Sequence, residues 1–223
     1  MYKNGTTYKL NVKPVFSEKE GEIVGIYAGD GSQYFEPKLY KYEVNIHFGL
    51  KNYNYARYVK DLYESYFQKK FRLRIESKTK LRMRTYSKEL FYYFYNLLNY
   101  NRHIKHSTVY LKTLDLPIEF KIGFIRGFFD TDGCLSYNKR EKRWKALFCT
   151  TSKKLANQIS LMLSELDIQN NTTVKSRSHI GEKTVYDVFL YKSSIDRFIN
   201  LVKPLKSEAG RAGSSTRKYF FEE

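Results

Sequence analysis

Apolar and polar residues alternate strictly from Tyr40 to Phe48: Tyr42, Val44, Ile46 and Phe48 fall on one side, Lys41, Glu43, Asn45 and His47 on the other. A period of two predicts a half-buried β-strand. Tyr55, Val59, Leu62 and Tyr66 recur instead at helical spacing, as do Leu155, Ile159, Leu163 and Leu166. Both stretches therefore predict amphipathic helices covering a core. Alternation returns in FRLRI (71–75) and LRMRT (81–85), on either side of the polar run ESKTK, which predicts a hairpin. Ser87 precedes Leu90, Phe91, Phe94 and Leu98, and Ser194 precedes Ile195, Phe198, Ile199 and Val202. Each serine is expected to cap the helix that follows it.

These elements come in the same order twice. GEIVGIYAGDG (21–31) matches GFIRGFFDTDG (123–133) at an offset of 102, pairing Gly21 with Gly123, Gly25 with Gly127, Asp30 with Asp132 and Gly31 with Gly133. Each copy is followed by two strands, a helix, two strands and a helix. The pattern predicts an α+β protein with an N-terminal extension (1–16) and two pseudo-symmetric αββαββα halves (17–115 and 116–223). Within each motif, glycines at i and i+4 open a smooth strip on one helical face, where two backbones can meet. The halves are expected to pack there about a pseudo-twofold axis.

Composition narrows the class. Lys+Arg 40 against Asp+Glu 23 gives a net charge of +17 over 223 residues, more than solubility requires, so a polyanion is the expected partner and nucleic acid heads the list. Two cysteines, Cys134 and Cys149, without a CxxC pair exclude a disulfide framework and a cysteine-based zinc site, and are expected as buried thiols. No apolar run is long enough for a membrane span, and the first residues lack a signal peptide's apolar core. A soluble intracellular protein is expected. GxxxxGK[ST] is absent, so neither ATP nor a dinucleotide is implied.

Asp30 and Asp132 would stand at the C-terminal ends of the paired helices, where the helix dipole disfavours a carboxylate. Two such groups at one seam repel, and a divalent cation is the usual way to hold them. Hard oxygen ligands point to Mg²⁺. In a basic protein that suggests metal-assisted phosphodiester hydrolysis. On these residues the chain resembles the LAGLIDADG homing endonucleases of the single-chain, two-motif type, through IVGIYAGDG (23–31) and IRGFFDTDG (125–133). The second copy is the closer match, because Ala28 stands where the second has Asp130.

The resemblance implies that Asp30 and Asp132 bind the catalytic metals, helped by the main-chain carbonyls of Gly29 and Thr131. It also implies two antiparallel sheets forming a saddle over the major groove of double-stranded DNA, and staggered cuts with 3′ overhangs made by a monomer. It further implies a basic residue late in each half, for which Lys105 and Lys206 are candidates, lying 75 residues after Asp30 and 74 after Asp132. Lys112, Lys203 and Lys218 are alternatives. His103 and His106 are spaced like a metal pair but have no third ligand, and are expected as exposed or phosphate-contacting.

For DNA contact, Arg72, Arg74, Arg82 and Arg84 share one face of the predicted hairpin, better matched to phosphates and guanine edges than to water. Lys175 and Arg177 in the second half, with the basic loop Lys139, Arg140, Lys142 and Arg143, are expected to form the equivalent surface. Tyr34 and Tyr137 are further DNA-contact candidates. Two rivals use the same scaffold: a maturase that binds host intron RNA, and a regulator that binds DNA without cutting. Retention of both acids favours cleavage.

Overall fold

The structure is a computed structural model and describes residues 13–175 and 183–205. The first half runs α1 (Glu18–Asp30), β1 (Gly31–Glu36), β2 (Lys41–Gly49), α2 (Tyr53–Phe67), β3 (Arg72–Ser77), β4 (Lys80–Tyr86) and α3 (Lys88–Leu97). A connection with β5 (Leu98–Asn99), α4 (Lys105–Thr108) and β6 (Tyr110–Leu111) leads into the second half. There the order is α5 (Ile118–Asp132), β7 (Gly133–Asn138), β8 (Arg143–Thr150), α6 (Lys153–Glu165), β9 (Asn170–Lys175), β10 (Val185–Leu190) and α7 (Ile195–Val202). Both halves have the expected αββαββα order. Their antiparallel sheets have the same topology, β1-β2-β4-β3 and β7-β8-β10-β9. Among the described residues no helix is long and apolar enough to cross a membrane.

Alternation decides which sheet face meets the helices. Val44, Ile46, Leu81 and Met83 are buried on the inner face of the first sheet, Ala146, Phe148 and Val188 on that of the second. The helical stripe Tyr55, Val59 and Leu62 covers the first core, and Leu155, Ile159, Leu163 and Leu166 cover the second. Tyrosine packs rather than stacks in solvent: Tyr27 lies flat on Phe94 at 3.8 Å, and Tyr63 Oη donates to Ile23 O at 2.7 Å.

The two halves join through α1 and α5. A Cβ on Gly21 would stand 2.0 Å from Phe120 O and one on Gly25 2.2 Å from Phe124 O; across the pseudo-axis, Cβ atoms on Gly123 and Gly127 would stand 1.9 Å and 2.1 Å from the carbonyls of Glu18 and Glu22. Each glycine meets the carbonyl three residues before its own counterpart. The contact is thus isologous, as in a twofold dimer made within one chain. Every residue from Glu20 to Ala28 is buried. Arg126 bridges the halves at this seam, donating to Glu18, to Glu22 Oε2 at 3.2 Å and to Val202 O at 2.6 Å.

Local details depart from the sequence pattern in three places. Ser87 caps α3, accepting from Leu90 N at 3.3 Å. Ser194 precedes α7, but its hydroxyl accepts from Gln169 N at 2.9 Å and makes no cap hydrogen bond. That tertiary donor outcompetes the helix end. The hairpin strands extend into the polar ESKTK run and leave only Lys78 and Thr79 between β3 and β4. Cys134 is half-buried and Cys149 exposed, not interior thiols, because strand alternation puts both on the outer sheet face.

Candidate active site and nucleic-acid interface

Asp30 and Asp132 are the last residues of α1 and α5, and glycine follows each because the chain turns directly into a strand. A Cβ at Gly31 would stand 2.4 Å from Tyr27 O, and one at Gly133 2.3 Å from the Phe129 ring. Asp30 is half-buried and Asp132 exposed. The two helix ends are in contact: a Cβ on Gly29 would meet Thr131 Oγ1 at 2.1 Å and Asp132 Oδ2 at 2.6 Å. The motifs differ at this point, since Gly29 leaves room into which its counterpart Thr131 projects. Thr131 Oγ1 donates back to Phe128 O at 2.9 Å.

Lys105 comes from α4, far along the chain, to this same place. Its ammonium donates to Tyr27 O at 2.7 Å, Ala28 O at 2.8 Å and Gly29 O at 3.1 Å. One cation thereby caps three carbonyls of the last turn and the negative end of α1. Burial lowers its pKa to about 8 against the opposing pull of Asp132 and Asp30. Lys112 instead stands over the Tyr95 ring at 4.7 Å, and Lys203 is exposed at the end of α7.

Lys206 lies outside the described residues, as do Lys218 and Arg177. The preceding Leu205 N, however, donates to Asp130 Oδ2 at 3.1 Å. Asp130 is buried and pins the end of the second half to α5. Ala28 has no side-chain acceptor for such a contact, and the Lys105 ammonium on its carbonyl fastens the first half instead. Asp130 as an anchor was missed in the sequence. Its signal was the Ala28/Asp130 mismatch between the two copies.

Among the described residues no three His, Cys, Asp or Glu side chains cluster as a metal site. His103 and His106 are both exposed. A cation at the seam would therefore take two carboxylates and main-chain oxygen, leaving other positions for water and phosphate, which suits Mg²⁺ better than a closed protein cage. Gly29 O keeps a lone pair beside its Lys105 bond.

The outer sheet faces carry the charge. Register sets Arg72 opposite Arg84 and Arg74 opposite Arg82, all four on the face away from the core. Glu43 meets Arg84 at 3.5 Å and Glu76 meets Arg82 at 3.1 Å. Beside them, His47 Nε2 contacts Ser32 Oγ at 2.9 Å, and burial lowers the His47 pKa. In the second half, Lys139, Arg140 and Lys142 form the β7–β8 turn and Arg143 opens β8, all exposed. Lys175 is ion-paired with Asp187. Tyr34 is exposed on the outer face, whereas Tyr137 shares the core-side parity of Leu135 and packs on Trp144 with ring centroids 5.5 Å apart.

Residues 119–203 match the LAGLIDADG-like domain family. No curated protein matches the chain in sequence. Its backbone is similar to the homing endonuclease I-DmoI, seen as mesophilic variants, with a TM-score of 0.60 at 20% identity over 84% of this chain and 96% of that one. It is similar also to I-DmoI in complex with DNA and Ca (0.59, 20% identity, 87% and 92% covered) and to the homing endonuclease I-WcaI bound to its DNA recognition sequence (0.56, 15% identity, 90% and 89% covered). With two Asp-Gly motif helices crossing at a glycine seam and two like sheets, the chain has the fold of the single-chain LAGLIDADG homing endonucleases and carries a LAGLIDADG-like domain in its second half.

Proposed function

We propose that this chain is a site-specific homing endonuclease that makes a metal-dependent, staggered double-strand cut, with 3′ overhangs, in a long asymmetric DNA site. The observation that carries the reading is the meeting of Asp30, Asp132 and Lys105 at the ends of two glycine-packed helices. I-DmoI has been captured in complexes with DNA and Ca and with DNA and Mn, which supports a divalent metal here. Asp30, Asp132 and the carbonyls of Gly29 and Thr131 would hold Mg²⁺, which when bound supplies an activated water and neutralises phosphate charge. Lys105 and Lys206 are the basic partners, one for each half. Lys105 holds the α1 carbonyls in place and presents positive charge where a scissile phosphate would approach. The four arginines of the first sheet, together with Lys139, Arg140, Lys142, Arg143, Lys175 and Arg177 of the second half, carry the DNA. The protein acts as a monomer, since the twofold contact that a homodimer would need is already internal.

The test is selection from a randomised duplex library in Mg²⁺ and, in parallel, Ca²⁺, sequencing cut and bound molecules with Asp132→Asn alongside. Specific cuts in Mg²⁺ that fall more than about 100-fold in the variant while binding persists are expected, since loss of a ligand should exceed the 10- to 100-fold loss typical of its supporting groups. Binding without cutting by the parent protein would refute the enzymatic reading.

A further inference from the structure

The two sheets have the same topology, so register identifies which residue of one half stands where a given residue of the other does. Gly31 pairs with Ile46 as Gly133 pairs with Phe148, and Asn45 pairs with Arg84 as Leu147 pairs with Phe189. Carried across to the outer strands, Arg84 and Arg82 correspond to Phe189 and Asp187, and Arg72 and Arg74 to Asn171 and Thr173. All four arginines of the first face are thus replaced in the second, and none of the replacements is basic. The basic residues of the second half therefore stand at positions other than those of the four arginines. Among the described residues, the basic side chains of the second half's outer face are Arg143 and Lys145 on β8, both ion-paired with Glu141, and Lys175 on β9, ion-paired with Asp187; Lys139, Arg140 and Lys142 lie in the turn at the end of the sheet.

Chemistry follows from position. Arginine in a major groove makes bidentate contacts to guanine O6 and N7, whereas apolar groups meet the thymine methyl and asparagine pairs with adenine. Leu147 and Phe189 sit side by side on β8 and β10, half-buried, with Asn171 next to Phe189 on β9. The first face keeps Arg72 against Arg84 and Arg74 against Arg82; Glu43 on Arg84 and Glu76 on Arg82 offset part of the like-charge repulsion, and the four guanidiniums still outnumber these two carboxylates. Asn45, counterpart of Leu147, is only 5% exposed, and its Oδ1 has no hydrogen-bond partner. A buried acceptor therefore lies beneath the arginines.

Building on the proposed function, we infer that the two half-sites differ in base composition: the half under the first sheet is read through guanines, and the half under the second is A·T-rich and read through thymine methyl groups. Specificity in the first half rests on Arg72, Arg74, Arg82 and Arg84, and in the second on Leu147, Phe189 and Asn171. The basic turn of the second half holds phosphates and contributes affinity without base preference.

The experiment is selection of bound duplexes from a randomised library by the full chain with Ca²⁺ in place of Mg²⁺, repeated with Arg82→Gln and Phe189→Ala. The parent protein should select a site with guanines concentrated in one half and A·T pairs in the other. Arg82→Gln should lose about tenfold discrimination at one or two guanine positions of the first half alone, and Phe189→Ala a similar amount at thymines of the other. Equal guanine content in both halves, variants that alter the same half, or an Arg82→Gln variant that weakens all sequences alike would overturn the inference while leaving the endonuclease reading intact. No sequence-selective DNA binding by the parent protein would overturn both.

Discussion

Replacing Gly25 by alanine sets two effects of opposite sign against each other. Helix propensity alone favours alanine over glycine by roughly 1 kcal/mol. At this seam, however, the new Cβ would stand 2.2 Å from Phe124 O and 2.9 Å from Phe128 N, where real Cβ contacts essentially never close below 3.0 Å. The shortfall of about 0.8 Å must be met by moving main chain, because the obstacle is a helix backbone and not the end of a flexible side chain. Overpacking of this kind costs typically 1–3 kcal/mol, and a rigid obstacle puts the cost at or beyond the upper end, so the net loss is about 2 kcal/mol. With a urea slope of roughly 2 kcal/mol/M, the unfolding midpoint should fall by about 1 M. Gly49→Ala is the control, since its Cβ would find only Asn52 Nδ2 at 3.8 Å, and it should leave the midpoint within about 0.3 M. Gly127→Ala strikes the same seam from the other side, one turn from its partner, at 2.1 Å from Glu22 O. Once one substitution has parted the helices the second costs less, so the double variant should fall short of the sum of the singles by at least about 0.5 kcal/mol. A Gly25→Ala protein as stable as its parent would refute the close-packed seam, and strict additivity would refute its being a single contact.

Three other outcomes follow from the geometry. Lys105 has a folded pKa lowered to about 8 from an ordinary value of 10.5, so the unfolded chain binds more protons between these values and stability should rise as pH rises through that window; Lys105→Met should flatten that slope in urea titrations. Asn45→Leu, which copies Leu147, removes a buried acceptor without a partner and should raise stability by about 1 kcal/mol, read as a shift in denaturation midpoint. Arg126→Met takes the cation across the seam away from Glu22, only 3% exposed and otherwise bonded by the Tyr58 hydroxyl of its own half, and should cost about 3 kcal/mol, read by urea denaturation at neutral pH.

The seam was legible because its information is one-dimensional: two glycines one turn apart, a carboxylate and a glycine, repeated at an offset of 102. Core and strand faces were legible for the same reason, since burial follows a period that can be counted. What stayed hidden depends on lengths that the repeat does not preserve. α2 spans 15 residues and α6 only 13, so an offset of 102 carries Arg72 onto Val174, although register places Asn171 at the corresponding position. The same offset sends Arg84 to Tyr186, a core-side residue, when its counterpart is Phe189. Linear comparison therefore misassigns the counterparts of the four arginines, which in the folded sheet are Asn171, Thr173, Asp187 and Phe189. Lys105 was reachable only as a candidate 75 residues after Asp30, and the anchoring role of Asp130 was not reached at all, because each acts on a segment about 75 residues away whose path no local pattern dictates. The two fastenings are nevertheless alternatives for one task. Where the first motif has alanine, a lysine binds the helix carbonyls; where the second has aspartate, the carboxylate takes the amide of the returning chain. An internal repeat that keeps its seam symmetric is free to let its fastenings and its outer sheet faces diverge, and on the proposed function that divergence would let one chain distinguish the two ends of a duplex.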